Sequence, residues 1–140
     1  MNLKKFFARD RFAASAGIEL VDTSDGYARA VMPVQRSHLN GVNSVQGGAI
    51  FTLADLAFAA ACNSHGTVAV AINVSISFVK AATGGTLTAE AREVAVNPKL
   101  SSVTVNVTDE SGDLVAIFQG MAYRKKVTLE EVVAGDNQSA

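Results

Sequence analysis

The chain has 140 residues and a formal net charge of −1, with 49% hydrophobic and 18% charged residues. This length and composition are typical of one globular domain and exclude a disordered chain. The balanced charge favours neither a nucleic-acid surface nor a polybasic membrane patch.

The chain begins with "MNLKKFFARDRFAASAG", in which hydrophobic residues at 3, 6 and 7 lie among charges. This spacing predicts a short amphipathic helix that ends near Gly17, within an N-terminal segment of residues 1–16. Three charged residues at 9–11 interrupt the apolar run that a signal peptide needs. The later apolar run, Ala49–Cys62, is shorter than the roughly 18 residues of a membrane span. With a single cysteine and no possible internal disulfide, we expect a cytoplasmic protein without membrane contact.

The next segment, "IELVDTSDGYARAVMPV", predicts two strands joined by a turn at residues 23–26. A polar stretch follows, "QRSHLNGVNSVQGG", which lacks periodicity and is predicted to be a loop. Loops of this kind, held by a rigid scaffold, often carry functional residues.

Residues 48–64 are rich in Ala and Leu and contain no Pro, which predicts a helix that ends before Gly66. A helix that is apolar on all sides should be buried. Four strand-like segments follow, separated by turn residues: "TVAVAINVSISFVK", "GGTLTAEAREVAV", "LSSVTVNVTDE" and "DLVAIFQGMAYRKK". Their short connections predict antiparallel neighbours in chain order.

This order of elements predicts an α+β hotdog fold, in which a curved antiparallel β-sheet wraps around one long central helix. We expect a single domain over residues 1–126. The tail of residues 127–140, "VTLEEVVAGDNQSA", is weakly helical in pattern and is expected to be partly disordered.

Asp55 is the only charged residue of the apolar run Ala49–Cys62. An unpaired carboxylate in a buried helix is unfavourable, so such a group shifts its pKa or finds hydrogen-bond donors. One interpretation is structural, with Asp55 accepting hydrogen bonds from the sheet. The other is chemical, with Asp55 acting as a general base or nucleophile in a dry pocket.

The residues before Asp55 favour the catalytic interpretation of this carboxylate. Gly47 and Gly48 open the helix, where bare backbone N–H groups at the positive end of the helix dipole suit an oxyanion. The preceding loop supplies amide side chains at Asn40, Asn43 and Gln46. A carbonyl polariser, a carboxylate and amides that orient water are the groups that acyl transfer requires.

The spacing of Gly47 and Asp55 predicts a dimer. The two residues are eight positions apart, which corresponds to about 12 Å along a helix. One carbonyl carbon cannot contact both, so the two groups must come from different helices if both act on it. A two-fold dimer with antiparallel central helices supplies two such composite sites.

The stretch Leu39–Gly66, "LNGVNSVQGGAIFTLADLAFAAACNSHG", resembles the signature of the PaaI-type (phenylacetic acid degradation) thioesterases of the hotdog superfamily. The resemblance implies hydrolysis of acyl-CoA thioesters by homodimers that pair into tetramers, with no cofactor or metal. It places Asp55 on the family's catalytic carboxylate and Gly47 on the glycine whose N–H polarises the carbonyl. Asn40 matches the amide that positions water, and it and Gly47 would face Asp55 of the partner subunit.

Gln46 departs from the family pattern, which commonly has His at this position. Gln can donate and accept hydrogen bonds but does not change charge near neutral pH. If the family's His only orients groups, Gln46 can replace it in the catalytic set. If the His carries a proton, turnover should suffer.

A further set of residues is predicted to bind substrate. Phe51, Thr52 and Phe58 lie near Asp55 at helical spacing, although core packing or a backbone hydrogen bond is the simpler interpretation. Asn73 and Ser75 interrupt an apolar strand, and Lys80 ends it. Most such lysines are only solvated, but a rim of basic residues would hold the phosphates of CoA as free cations. Gly48, at the start of the helix, belongs to the same set. The residues predicted to bind substrate are thus Gly48, Phe51, Thr52, Phe58, Asn73, Ser75 and Lys80.

Cys62 is interpreted as a small core residue because no histidine lies at a helical spacing that would activate it. His38 and His65 flank the motif without the spacing of metal ligands, so no metal site is predicted.

The sequence therefore predicts a cytoplasmic acyl-CoA thioesterase that acts on small aryl- or medium-chain acyl groups. Two alternatives stay open. A hotdog module could bind acyl-CoA without turnover, which the Gln46 departure favours. A hotdog dehydratase or hydratase would act on acyl thioesters through a His with an acidic partner, and neither histidine lies in or at the start of the helix.

Overall fold

The computed structural model describes residues 1–139. Over these residues the chain forms four α-helices, a 3₁₀ turn and six β-strands. In chain order they are α1 Leu3–Phe7, α2 Arg11–Ser15, β1 Glu19–Ser24, β2 Tyr27–Pro33, the 3₁₀ turn Arg36–His38, α3 Gly47–Cys62, β3 Thr67–Phe78, β4 Thr86–Val96, β5 Leu100–Thr108, β6 Leu114–Thr128 and α4 Leu129–Ser139. None of the helices formed by residues 1–139 is both long enough and apolar enough to cross a membrane.

The strands form one antiparallel sheet in the order β1-β2-β4-β5-β6-β3. Helix α3 packs against one face of this sheet, and its residues Leu53, Ala54 and Ala57 are fully buried. The predicted hotdog architecture is confirmed.

Small and branched side chains alternate along the strands and form the surface on which α3 lies. The inward positions of β4 are Leu87, Ala89 and Ala91, and those of β5 are Val103, Val105 and Val107. All six are fully buried. This period-2 pattern fixes the register, since a slip of one residue would turn the apolar set to solvent.

The strand order differs from the predicted one. β3 pairs with β6, whereas β4 pairs with β2 and β5. The segment between β3 and β4 crosses beside the start of α3, where the Val45 N–H donates to Ala82 O at 2.7 Å and the Val34 N–H donates to Gly85 O at 2.8 Å. This crossing takes the chain from β3, at one edge of the sheet, to β4, which lies between β2 and β5. β3 and β4 are therefore not neighbours.

The N-terminal end of the chain also differs from the prediction. The N-terminal segment forms two helices instead of one, since α1 ends at Phe7 and Asp10 begins α2 by accepting a hydrogen bond from the Ala13 N–H at 3.0 Å. At the other end, β6 continues to Thr128 and α4 follows it. Helix α4, Leu129–Ser139, agrees with the weakly helical pattern of the tail, and residue 140 lies outside the described residues.

Candidate active site

The N-terminus of α3 is capped by Gln46. Its Oε1 accepts a hydrogen bond from the Gly48 N–H at 3.0 Å. A Cβ at position 48 would lie 2.6 Å from that oxygen, so a glycine is needed there for the side chain to fold back. With Oε1 fixed as the acceptor, the Nε2 group of Gln46 is the end that can donate to a ligand.

The loop before the cap is held by Asn40. Its Oδ1 accepts hydrogen bonds from the Val42 N–H at 3.0 Å and the Ser44 N–H at 3.1 Å. Its backbone N–H donates to Ser44 O at 2.7 Å, and an isolated bridge pairs Leu39 with Val45. Asn40 thus presents its Nδ2 group from a loop whose backbone is closed by hydrogen bonds.

These amides share a cavity of about 700 Å³. The cavity lies between α2, the 3₁₀ turn and the first turns of α3. Of the predicted site residues, it brings together Asn40, Gln46, Gly48 and Thr52.

Gly47 faces a second cavity, of about 370 Å³, on the other side of the helix start. A Cβ at position 47 would lie 3.1 Å from Cζ of Phe78, so the glycine allows the ring to pack against the backbone. Lys80 also lines this cavity. Its Nζ is already held at 2.7 Å by Asp109 and by Asp113. The structure therefore gives Lys80 an ion pair between loops, where a free cation for CoA phosphates was predicted.

Asp55 is half-buried and has no hydrogen bond or ion pair within residues 1–139. Burial raises the pKa of its carboxyl above the ordinary value of 3.8, and the nearby negative charge of Asp10 raises that pKa further. Asp55 lies one helical turn beyond Thr52 and belongs to the lining of neither cavity. Gly47 and Asp55 belong to one uninterrupted helix. The separation of about 12 Å that was expected from their spacing therefore holds within one folded chain.

The remaining predicted residues fall into different surroundings. The Phe51 ring packs edge-on against Phe118 at a centroid distance of 5.4 Å, and Thr52 Oγ1 donates to Gly48 O at 2.7 Å. Phe58 is 1% exposed and packs against Phe118 and the backbone of Gly120. Phe58 therefore makes the core contact that was its simpler interpretation, and within one chain its ring is closed to substrate.

Asn73 and Ser75 lie on the face of the sheet that points away from α3. They pair in register with the exposed residues Met121 and Gln119, whereas the intervening Val74 pairs with Gly120, which faces the helix. Adjacent strand residues point to opposite faces. Within one chain, Asn73 and Ser75 therefore lie on the sheet face opposite to α3.

Both histidines have hydrogen-bond partners within the part of the chain that the structure describes. His38 is buried, with its Nδ1 accepting from the Gln35 N–H and its Nε2 2.7 Å from Ala16 O. His65 pairs with Glu93 at 2.6 Å. Within residues 1–139 no group of three or more His, Cys, Asp or Glu side chains could hold a metal ion.

Burial raises the pKa of the Cys62 thiol to about 12, with the charge of Glu93 adding to the effect, so this cysteine stays a neutral core residue.

Two residues near the site had not been predicted to belong to it. Asp10 influences Asp55, and Phe12 lines the larger cavity. Both lie in the N-terminal segment, which is about 40 residues from Asp55 in sequence. The sequence shows Phe12 as an apolar residue next to three charged ones, but it does not show that the ring lies at the cavity.

A single long helix wrapped by one antiparallel sheet defines the class of hotdog-fold proteins, and here amides and bare glycines lie at the start of that helix. The sequence profile of the family described as "Thioesterase superfamily" matches residues 43–116. The chain belongs to this family and is a thioester hydrolase.

Individual relatives support the same family. A protein of Archaeoglobus fulgidus is 41% identical over 119 residues, which cover 84% of this chain and 77% of that protein. The acyl-coenzyme A thioesterase PaaI of Escherichia coli is 35% identical over 124 residues, 88% of this chain and 89% of its own length. The solved structure of E. coli PaaI superimposes with a TM-score of 0.81 over 91% of this chain and 99% of that chain, at 32% identity. The smu.793 protein of Streptococcus mutans, solved bound to acetyl CoA, matches with a TM-score of 0.74 and 28% identity over 77% of this chain and 88% of its own. The predicted resemblance to the PaaI type is confirmed.

Proposed function

We propose that the protein hydrolyses acyl-CoA thioesters with small aryl or medium-chain acyl groups to the free acid and CoA. The names of its relatives support the class of substrate, since one is an acyl-coenzyme A thioesterase and another was solved with acetyl CoA. The observation that carries the proposal is Asp55, a half-buried carboxylate that has no partner within residues 1–139 and is the only charged residue of α3.

In the proposed reaction the thioester carbonyl lies at the N-terminus of α3. The Gly47 N–H, at the positive end of the helix dipole and between the two cavities that flank the helix start, donates to the carbonyl oxygen and stabilises the negative charge that develops there. Gln46 Nε2 is a second donor, because its Oε1 is engaged by Gly48. Asn40 orients the water. No cofactor takes part in these steps.

Asp55 supplies the base or nucleophile. Either it removes a proton from the attacking water, or it attacks the carbonyl carbon and water then hydrolyses the anhydride. Its raised pKa makes it a stronger base than an exposed aspartate. The absence of a hydrogen bond to Asp55 within residues 1–139 leaves its oxygens available for this role.

We propose that Asp55 acts across a dimer interface, on a carbonyl bound by the partner's helix start. Two features of the surface support this. First, β3 is an edge strand of 12 residues, and Val70, Ile72 and Phe78 on it are 38%, 56% and 52% exposed. A long apolar edge strand is rarely left uncovered.

The second feature is the surface of α3. Its incompletely buried residues include Gly48, Thr52, Asp55 and Ala59, which recur every three or four positions and so form one stripe. Small side chains on this stripe allow a second helix to approach closely. We propose that antiparallel packing of two such helices makes a homodimer with two sites, and that dimers pair into tetramers in the cytoplasm.

The test is thiol release from a panel of aryl-acyl and medium-chain acyl-CoA thioesters. Asp55→Asn, which keeps the shape of the side chain, should lower kcat by about 10²-fold or more because the base is lost. Asp25→Asn, in the exposed β1–β2 turn, is the matched control and should leave kcat unchanged. Hydrolysis by Asp55→Asn at the wild-type rate would contradict the proposal.

The thermal stability of the Asp55→Asn protein shows whether a loss of activity comes from the lost base or from a misfolded protein. Because the folded state raises the pKa of Asp55, its deprotonation opposes folding as the pH rises above the ordinary value of 3.8. The neutral amide introduced by Asp55→Asn avoids this penalty. At neutral pH the Asp55→Asn protein should therefore melt at or above the wild-type temperature.

A second candidate is a module that binds acyl-CoA without turnover. The specific observation in its favour is Gln46, which does not change charge near neutral pH and serves here as a helix cap. The thiol-release panel separates the two candidates, since a binding module would take up acyl-CoA and release no thiol.

A further inference from the structure

Phe12 is the most exposed aromatic side chain described in the protein, at 73%. It makes no ring–ring or cation–π contact within the part of the chain that the structure describes. Exposure of a whole phenyl ring to water is unfavourable in proportion to its apolar area. The ring therefore lacks the apolar partner that would cover it.

The ring is held in place by a well-anchored element. Asp10 caps α2 through the Ala13 N–H, Ala13 itself is 1% exposed, and Ser15 Oγ donates to Phe12 O at 2.7 Å. At the end of the helix, Ala16 O is 2.7 Å from Nε2 of the buried His38. Because His38 Nδ1 accepts from Gln35, its Nε2 carries the proton and donates to Ala16. Phe12 is thus a fixed surface and not part of a loose terminus.

Phe12 lines the cavity that holds the amide side chains of the proposed active site. It forms one wall of the cavity of about 700 Å³ whose other walls include Asn40, Gln46 and Gly48. The remaining wall of this cavity offers an acyl group an apolar surface beside these amides. The apolar parts of that wall include Phe12, Ala16 and Ala49.

We infer that Phe12 is a specificity-determining residue that packs against the acyl group and selects bulky apolar acyl groups over acetyl. The inference rests on the proposed function. An acyl chain or ring that covers Phe12 removes both apolar surfaces from water, whereas an acetyl group is too short to reach across the cavity. Specificity of this kind appears in the ratio of kcat/KM for two substrates.

The test compares Phe12→Ala with wild type on phenylacetyl-CoA and acetyl-CoA. The ratio of kcat/KM for the bulky substrate over acetyl-CoA should fall by about tenfold in Phe12→Ala, mainly through KM, because apolar packing is lost. Phe12→Leu keeps an apolar wall and should recover most of the ratio. The control Val94→Ala removes an exposed apolar side chain, 61% exposed, from the outer sheet face and should leave the ratio unchanged.

Binding of the non-hydrolysable thioether analogues of the same two substrates, measured by calorimetry, separates this inference from the proposed function. If the wild-type protein releases no thiol, the proposed function fails. The ratio of dissociation constants still tests Phe12, because the same tenfold loss of discrimination is expected in Phe12→Ala.

Two results would overturn the inference. An unchanged ratio in Phe12→Ala would show that the acyl group does not contact the ring. An equal loss for both substrates would show that Phe12 holds the pantetheine part of CoA or the subunit interface, and sedimentation of the variant would identify the second of these.

Discussion

At the scale of single residues, the chemistry of the site depends on how Asp55 is charged. Asp10 lies at the start of α2 and raises the pKa of Asp55 through its negative charge, in addition to the larger effect of burial. Asp10 also caps α2 through one carboxylate oxygen. Asp10→Asn keeps that oxygen and removes the charge, so it isolates the electrostatic effect.

We predict that the acid limb of kcat/KM against pH has its midpoint above 3.8 in the wild type, because Asp55 must be deprotonated to act. In Asp10→Asn the midpoint should move to lower pH, since removal of a neighbouring negative charge makes the Asp55 carboxyl easier to ionise. Asp25→Asn serves as the control with the same change in net charge. A midpoint that does not move, or that moves upwards, would show that Asp10 does not act on the catalytic group.

At the scale of elements, one buried asparagine joins the end of α3 to the start of β3. The Nδ2 group of Asn63 donates to Ala59 O at 2.8 Å and to Ala69 O at 3.1 Å, while its Oδ1 accepts from the Ala69 N–H at 2.8 Å. Asn63 is 5% exposed. Its side chain therefore pairs backbone groups that water does not reach.

Replacement of Asn63 by Ala should lower the free energy of unfolding by about 2 kcal/mol, because it leaves a buried N–H and a buried carbonyl without partners. Asn106→Ala, on the exposed face of β5, is the matched control and should change the free energy of unfolding by less than about 0.5 kcal/mol. Urea titration followed by circular dichroism measures both. Equal effects of the two substitutions would refute a structural role of the Asn63 side chain.

At the scale of the whole molecule, the proposed site needs two subunits. Gly47 and Asp55 are on one helix and cannot contact the same carbonyl carbon, while the partly exposed stripe of α3 and the apolar edge of β3 provide surfaces for a second copy. A composite site has a consequence that a site within one chain lacks. Two inactive variants should complement each other if each damages a different half.

We predict that mixed dimers of Asp55→Ala and Asn40→Ala subunits recover about a quarter of the wild-type activity, because half of the randomly paired dimers then contain one intact site out of two. Each variant alone should be inactive. Refolding the two together from denaturant and measuring thiol release tests this. No recovery in a mixture shown to contain mixed dimers would place the entire site within one subunit.

The sequence by itself determined the helix, the number of strands after it and the position of the lone carboxylate. These features depend on local patterns: a run of Ala and Leu for α3, period-2 alternation for β4 and β5, and turn residues between them. The glycines that open α3 could also be recognised, because helix termini have a local chemistry. The family resemblance added the expected roles of Asp55, Gly47 and Asn40.

The tertiary structure alone decided which residues meet. β3 lies beside β6, and a bulge between Ala71 and Asn73 shifts the register, so that Asn73 and Ser75 face away from the helix. Lys80 is held by two carboxylates from the β5–β6 turn region, and Phe12 reaches the cavity across about 30 residues of intervening chain. None of these contacts is local in sequence. Their outcome depends on burying apolar surface over the whole domain, where a change in strand order or register alters every long-range contact at once.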